Sequence, residues 1–443
     1  GGSFKVDYTQ QLQLEGKTDF TGYENTCSAG NVVALVKGGD VTDAISSDGS
    51  SGEEAVVVLD QTPFYAESGG QVGDSGYLRA NGVVFEVQDC QKQGNHYLHI
   101  GLLSSGTITT GQQLEAEVDD QVRQATSLNH SATHILHAAL REILGDHVTQ
   151  KGSLVDSKRL RFDFSHFEAV SPEQLKAIER RVNVEIRRNS AVETDICDME
   201  AAQQKGAMAL FGEKYGDEVR VLTMGEGYSV ELCGGIHTSR TGDIGLMRII
   251  SETGIAAGVR RIEAVTGEQA LVYLDELEQQ LDEIGKTLKT NRDNVAQKVT
   301  GLYAEAKELE KQNAQLKGKL ASSAGSDLAS QAKDIQGVKV LSASVEGVDP
   351  KALRDTVDQL KNKLESGVVL LAAPGDDKVA LVAGVTKNVT DRVKAGELMQ
   401  FVAAQLGGKG GGRPDMAQGG GTDIAALPEA IDSVFNWVEA KLD

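Results

Sequence analysis

The chain has 443 residues, enough for about three domains of ordinary size with substantial cores. Its formal charge of −21 excludes a broad nucleic-acid coat, because neutralising phosphates takes Lys and Arg; only local basic patches are left for such a role. No apolar run approaches the ~20 residues that span a bilayer, and four dispersed cysteines form no disulfide framework, which suits a reducing cytoplasm.

The chain opens Gly1-Gly2-Ser3-Phe4, with neither methionine nor signal peptide, and is expected to be a fragment. From residue 1 to 118, Gly and Asp punctuate short alternating runs such as Ala55-Val-Val-Val-Leu59 and Val83-Val-Phe-Glu-Val87, which predict a small β-barrel-like subdomain. Asp119 to Leu144 carries apolar residues at helical spacing and stops at Gly145. A strand at Leu160–Phe164, a helix at Pro172–Arg188 and strands at Val219–Leu222 and Gly245–Ile250 extend an α+β core over 119–270.

Over 271–336 the pattern changes again. Leu274, Leu277, Leu281, Ile284 and Leu288 recur at steps of three and four, as do Val299, Leu302, Ala306, Leu309, Asn313, Leu316 and Leu320. Two such seams joined at Thr290–Asn294 predict an antiparallel coiled-coil hairpin, with two surface helices as the alternative. Ser322 to Gln336 reads as a small polar linker. Residues 337–443 then alternate strand, helix, strand pair, helix, a glycine loop and a last helix at Leu427–Leu442, an α/β domain of ordinary size. The fold class is therefore multidomain α+β.

Two half-sites carry the chemistry. His130-Ser-Ala-Thr-His134 puts two imidazoles on one helical face, close enough to share a metal. Cys233-Gly-Gly-Ile-His237 adds a thiolate and a third imidazole on a glycine turn, completing a donor set suited to zinc. His137 lies on the same helical face, so spacing alone leaves open which pair would bind. The downstream Gly407-Gly-Lys-Gly-Gly-Gly-Arg-Pro-Asp-Met-Ala-Gln-Gly-Gly-Gly421 is no phosphate-binding P-loop: Gly follows Lys409 where Ser or Thr would hold magnesium. Its glycines read as a backbone free to approach a partner, with Lys409 and Arg413 supplying charge.

These motifs, with Phe64-Tyr-Ala-Glu-Ser-Gly-Gly-Gln71, Gln150-Lys-Gly-Ser153 and Gly258-Val-Arg-Arg-Ile262, resemble the alanyl-tRNA synthetase family over nearly the whole chain and in its order. The resemblance implies an editing domain that hydrolyses seryl- or glycyl-tRNA-Ala, followed by a tRNA-binding domain. It implies one zinc ion on His130, His134, Cys233 and His237 and a pocket lined by Gln150 and Ser153. Zinc, Thr133 or Gln150 would answer the serine hydroxyl. Glu231 would serve beside the metal or in the pocket, or stand as a solvated strand residue. Arg260 and Arg261 would meet the terminal adenosine or its phosphates, or pair an acid. Lys409 and Arg413 would meet the tRNA elbow, recognised by shape and backbone. Association through the C-terminal end is a companion expectation. ATP-dependent charging would lie upstream of Gly1.

Other readings fit fewer residues. DHH-type phosphoesterases share a similar C-terminal domain but require an Asp-His-His run, where this chain has Asp146-His147-Val148. The threonyl-tRNA synthetase editing domain shares the paired half-sites but typically carries Pro before its last histidine and lacks the glycine-rich tail. A non-catalytic, zinc-stabilised tRNA-binding protein is the alternative from another class.

Overall fold

A computed structural model describes residue 12 and residues 14–208 and 217–443, apart from the side chains of 320–326. The alternating runs form β1 (Asp19–Phe20), β2 (Cys27–Lys37), β3 (Asp40–Thr42), β4 (Ala44–Ser47), β5 (Glu53–Leu59), β6 (Gln61–Thr62), β7 (Gly76–Ala80), β8 (Val83–Gln93), β9 (His96–Thr109) and β10 (Gln113–Val118). Six strands close into an antiparallel barrel in the order β10-β7-β8-β9-β5-β2, with β2 pairing β10 again. Leu35, Val57, Leu78, Phe85, Leu103 and Leu114 fill its interior. Closure removes the exposed edges that an open sheet would present.

From the barrel the chain enters α1 (Asp120–Leu144), whose N-terminus is capped by the Asp119 side chain accepting from Val122 N. Buried Arg123 fastens this helix to the barrel through Asp74 and the carbonyls of Gly22 and Pro63. Then follow β11 (Gln150–Val155), β12 (Leu160–Ser165), α2 (Pro172–Arg188), β13 (Glu193–Asp198), α3 (Met199–Gln204), β14 (Glu218–Met224), β15 (Ser229–Leu232), β16 (Met247–Ala256) and β17 (Val259–Thr266). Strands β11-β12-β17-β16 form one antiparallel sheet and β13-β14-β15 another. Leu136, Leu140, Phe162, Phe164, Ile178, Val182 and Ile262 join α1, α2 and the first sheet in one core. Burying apolar side chains at roughly 25 cal/mol per Å² is what fixes α1, and with it the side chains it presents.

Contacts divide the chain into units of residues 1–283 and 284–443. Helices α4 (Gly267–Thr287) and α5 (Val295–Ala329) carry the two leucine seams. Leu277, Leu281, Ile284, Val299, Leu302, Leu309 and Leu316 are solvent-exposed; Leu320 lies outside the described side chains. The expected linker at 322–336 is a correction. α5 runs on to Ala329, and Leu328 is buried against Leu353 and Val357, so packing overrides the small polar composition there.

The second unit continues with β18 (Lys333–Ile335), β19 (Val338–Ser344), α6 (Pro350–Leu364), β20 (Gly367–Pro374), β21 (Val379–Val385), α7 (Ala395–Gln405), β22 (Lys409–Gly412), β23 (Met416–Gly421) and α8 (Leu427–Leu442). Its sheet order is β18-β19-β20-β21-β23-β22, with β19 and β20 parallel. β20 explains its own continuous apolar run. Val368 and Leu370 pack with α7 and α8, Val369 and Leu371 with α6, so the strand is buried on both faces. The expected glycine loop is also corrected. Most of it forms the β22–β23 hairpin, because a Cβ at Gly410 or Gly419 would press on Met399 and on the facing strand. Among the described residues no helix is long and apolar enough to cross a membrane.

Candidate metal centre

Helical spacing sets His130 and His134 on one face of α1, four residues apart. Strand β15 delivers Cys233 just past its end, and the Gly234-Gly235 turn returns the chain to His237. Gly235 has a steric reason to be glycine: a Cβ there would run into the His130 ring and the Gln71 side chain. The donor atoms of His130, His134, Cys233 and His237 all lie within 4.8 Å of one another. Cys233 Sγ is 3.5 Å from His130 Nε2 and 3.2 Å from His237 Nε2.

Each imidazole is held by its other nitrogen. His130 Nδ1 donates to Gln71 Oε1 at 2.8 Å, His134 Nδ1 bonds Glu231 Oε2, and His237 Nδ1 lies 3.2 Å from Ser131 Oγ. Anchoring Nδ1 in this way orients Nε2 toward a metal. His134 Nε2 is buried without a hydrogen-bond partner among the described residues, as an atom awaiting a ligand would be. Three imidazole nitrogens and one thiolate fit zinc.

Charge is arranged to match. Burial pushes the Cys233 thiol up, but His130, His237 and His134 outweigh it and hold it well below the usual thiol range. Burial likewise opposes ionisation of Glu231, yet His134 and His137 bring it down to about 2. His237 is lowered to about 3 by burial and by His130. Burial disfavours protonated His134, but the Glu231 and Cys233 charges hold its pKa up at about 10. Both shifts favour the charged forms of the Cys233 sulfur and the Glu231 carboxylate.

The remaining candidates divide. Glu231 is 2% exposed and bridges His134 and His137, the latter at 2.6 Å. It is not the solvated strand residue that the sequence left open. Thr133 directs its hydroxyl to Asn129 O, 2.8 Å away, within its own helix. Gln150 and Ser153 stand half-buried on β11, and the Ser153 carbonyl lies where a Cβ on Gly70 would fall. Arg260 is forked onto Glu252 at 2.5 and 2.7 Å and Arg261 onto Asp163 at 2.7 and 2.8 Å. Lys409 and Arg413 are exposed in the second unit, with Arg413 3.3 Å from Asp415.

Sequence reasoning missed three neighbours and left open the role of a fourth, His137. Gln71, buried, accepts from Ile236 N as well as His130, tying the barrel to the turn. Ser131 also accepts from Thr238 N, Tyr23 donates to Gly234 O at 2.6 Å, and His137 holds Glu231. The only available signal was position. Gln71 closes a quoted glycine-rich run, and Ser131 and His137 share a helix with the histidines.

Three family profiles match the chain: tRNA synthetases class II (A) over residues 1–122, the threonyl and alanyl tRNA synthetase second additional domain over 219–263, and the DHHA1 domain over 337–440. An alanine–tRNA ligase of Saccharophagus degradans is 60% identical over 441 residues, covering 100% of this chain and 50% of that protein. One of Pseudomonas fluorescens is 59% identical over 437 residues, covering 99% and 50%. The crystal structure of the C-Ala domain of Aquifex aeolicus alanyl-tRNA synthetase is 33% identical, covering 24% of this chain and 97% of that one, with a TM-score of 0.24. The chain spans about half the length of the curated relatives it matches.

Proposed function

The chain belongs to the alanine–tRNA ligase family, and from that premise we propose that it is the family's editing and tRNA-binding part, an esterase that removes serine or glycine from tRNA-Ala. The observation that carries this reading is the buried convergence of one thiolate and three anchored imidazoles. In this reading His130, His134, Cys233 and His237 hold one zinc ion. Four protein ligands would close a tetrahedral site, so zinc bound there would hold the two half-sites together and orient the pocket rather than activate a water.

The need for such a site is physical. A pocket built for the alanine methyl cannot exclude glycine by size, and rejects an added hydroxyl only by roughly a hundredfold. A second test must read the hydroxyl. Gln150, half-buried on β11, is assigned that contact in preference to Thr133, whose hydroxyl is engaged within α1. Leaving this partner unsatisfied with alanine costs about 1–3 kcal/mol, or about fivefold to a hundredfold in rate. Glu231 is committed to two imidazoles and acts through His134 rather than on water. The ester is itself reactive, so holding a water against its carbonyl suffices without a strong base.

Lys409 and Arg413, exposed on the second unit, are assigned the tRNA elbow, and α4 and α5 the antiparallel hairpin. Self-association through the C-terminal region and a cytoplasmic location complete the reading. Ligation of alanine with ATP is assigned to the half of the relatives that this chain does not cover. The test is deacylation of seryl-, glycyl- and alanyl-tRNA-Ala. Serine and glycine should be released and alanine spared, with the serine preference reduced in Gln150→Ala. Equal rates for serine and alanine would defeat proofreading, and no hydrolysis at all would favour a non-catalytic tRNA-binding role.

A further inference from the structure

Glu231, which holds the candidate ligand His134, is itself paired with a second buried histidine, His137. Glu231 and Cys233 are two residues apart at the end of a strand, so the carboxylate falls on the same side as the thiolate. On the facing helix, His134 Nδ1 takes one carboxylate oxygen and His137 Nδ1 takes the other. Both histidines and the acid are buried, and the contacts of Glu231 are two imidazole N–H groups rather than a Lys or Arg.

His137 has no second polar role. Its Nδ1 donates to the carboxylate, and its Nε2 is buried without a hydrogen-bond partner among the described residues. The ring packs against Phe162 at a centroid distance of 5.1 Å, a space an aliphatic side chain could fill. What an imidazole adds there is one N–H aimed at Glu231. A carboxylate held at one oxygen can swing about its last torsion. Held at both, it fixes the ring and tautomer of His134.

We propose that His137 is a positioning residue for the metal centre: by clamping the second oxygen of Glu231 it holds His134 with Nε2 presented to zinc. The proposal rests on the metal reading above. Outer partners of ligating histidines typically contribute ten- to a hundredfold in metal affinity. The pair also acts as one chain of contacts, so its effects are non-additive.

The experiment is zinc competition against a chromogenic chelator on the 443-residue chain, with the visible spectrum of the cobalt-loaded protein as a second readout. Expected are weakening of about ten- to a hundredfold for Glu231→Gln, about tenfold for His137→Phe, and near wild-type affinity for His137→Asn, whose amide N–H replaces Nδ1–H. The double variant Glu231→Gln/His137→Phe should bind no more weakly than Glu231→Gln alone, and the cobalt bands should shift in His137→Phe but not in His137→Asn. Circular dichroism screens each variant for folding; should His137→Phe not fold, the Asn substitution and the double variant built on it carry the comparison. Zinc affinity of His137→Phe equal to wild type, or fully additive losses in the double variant, would overturn the proposal while leaving the metal reading intact. A wild-type chain that takes up no zinc would remove both.

Discussion

Residue identity decides which imidazoles face the centre and which are structural. His99 in the barrel is the contrasting case: the Val57 carbonyl accepts from its Nδ1 at 2.8 Å, and the Thr62 hydroxyl donates to Nε2 at 2.7 Å. It is fully buried, and burial lowers its pKa to about 4, the Val57 bond opposing. A folded-state value below the unfolded one of 6.5 means that the unfolded chain binds the extra proton between those values. The stabilisation is complete above pH 6.5 and is lost as pH falls toward about 4. His99 alone should therefore cost the fold about 2 kcal/mol between pH 7 and pH 5. Denaturant unfolding at both pH values, compared with His99→Gln, checks this; an unchanged wild-type-minus-variant difference would refute it. At this scale the sequence exposed the four donor residues, because metal spacing is local within each half-site. It could not expose which ring nitrogen each would offer, since Gln71, Ser131 and Glu231 arrive from elsewhere in the chain. Nor could it decide whether Arg260 and Arg261 stand free: their acids lie 8 and 98 residues away.

Elements were legible where periodicity is strong and misread where composition misleads. The strands of the barrel, the metal helix and the doubly buried β20 follow directly from period 2, period 3.6 and a continuous apolar run. Glycines between 407 and 421 read as freedom, yet the structure uses their lack of side chains for close packing. Gly419 stands where a Cβ would lie 2.7 Å from Met399 Sδ and 2.8 Å from Gly410 Cα. Gly419→Ala should destabilise the second unit by about 1–3 kcal/mol, because the facing strand cannot yield as a flexible side chain could. Denaturant unfolding measures this, and a variant as stable as wild type would contradict the packing account. The leucine seams of α4 and α5 show the complementary limit. Sequence reveals the apolar stripe on each helix; Leu277, Leu281 and Ile284 on the first and Val299, Leu302, Leu309 and Leu316 on the second are exposed.

On the scale of the whole molecule, two units follow one another along a chain that spans about half the length of its relatives. Net charge of −21 keeps basic contacts sparse, so the proposed RNA recognition falls on particular residues in each unit rather than on a coat. The first unit joins two widely separated half-sites by fixing α1 to the barrel through Arg123 and to the turn through Gln71 and Ser131. That assembly serves a single claim, that four residues from α1 and the Cys233–His237 turn hold one metal. Metal analysis of the purified chain tests it most directly. The account predicts about one equivalent of zinc per folded chain, most of it lost in Cys233→Ala together with deacylation; a metal-free protein with full deacylase activity would contradict it.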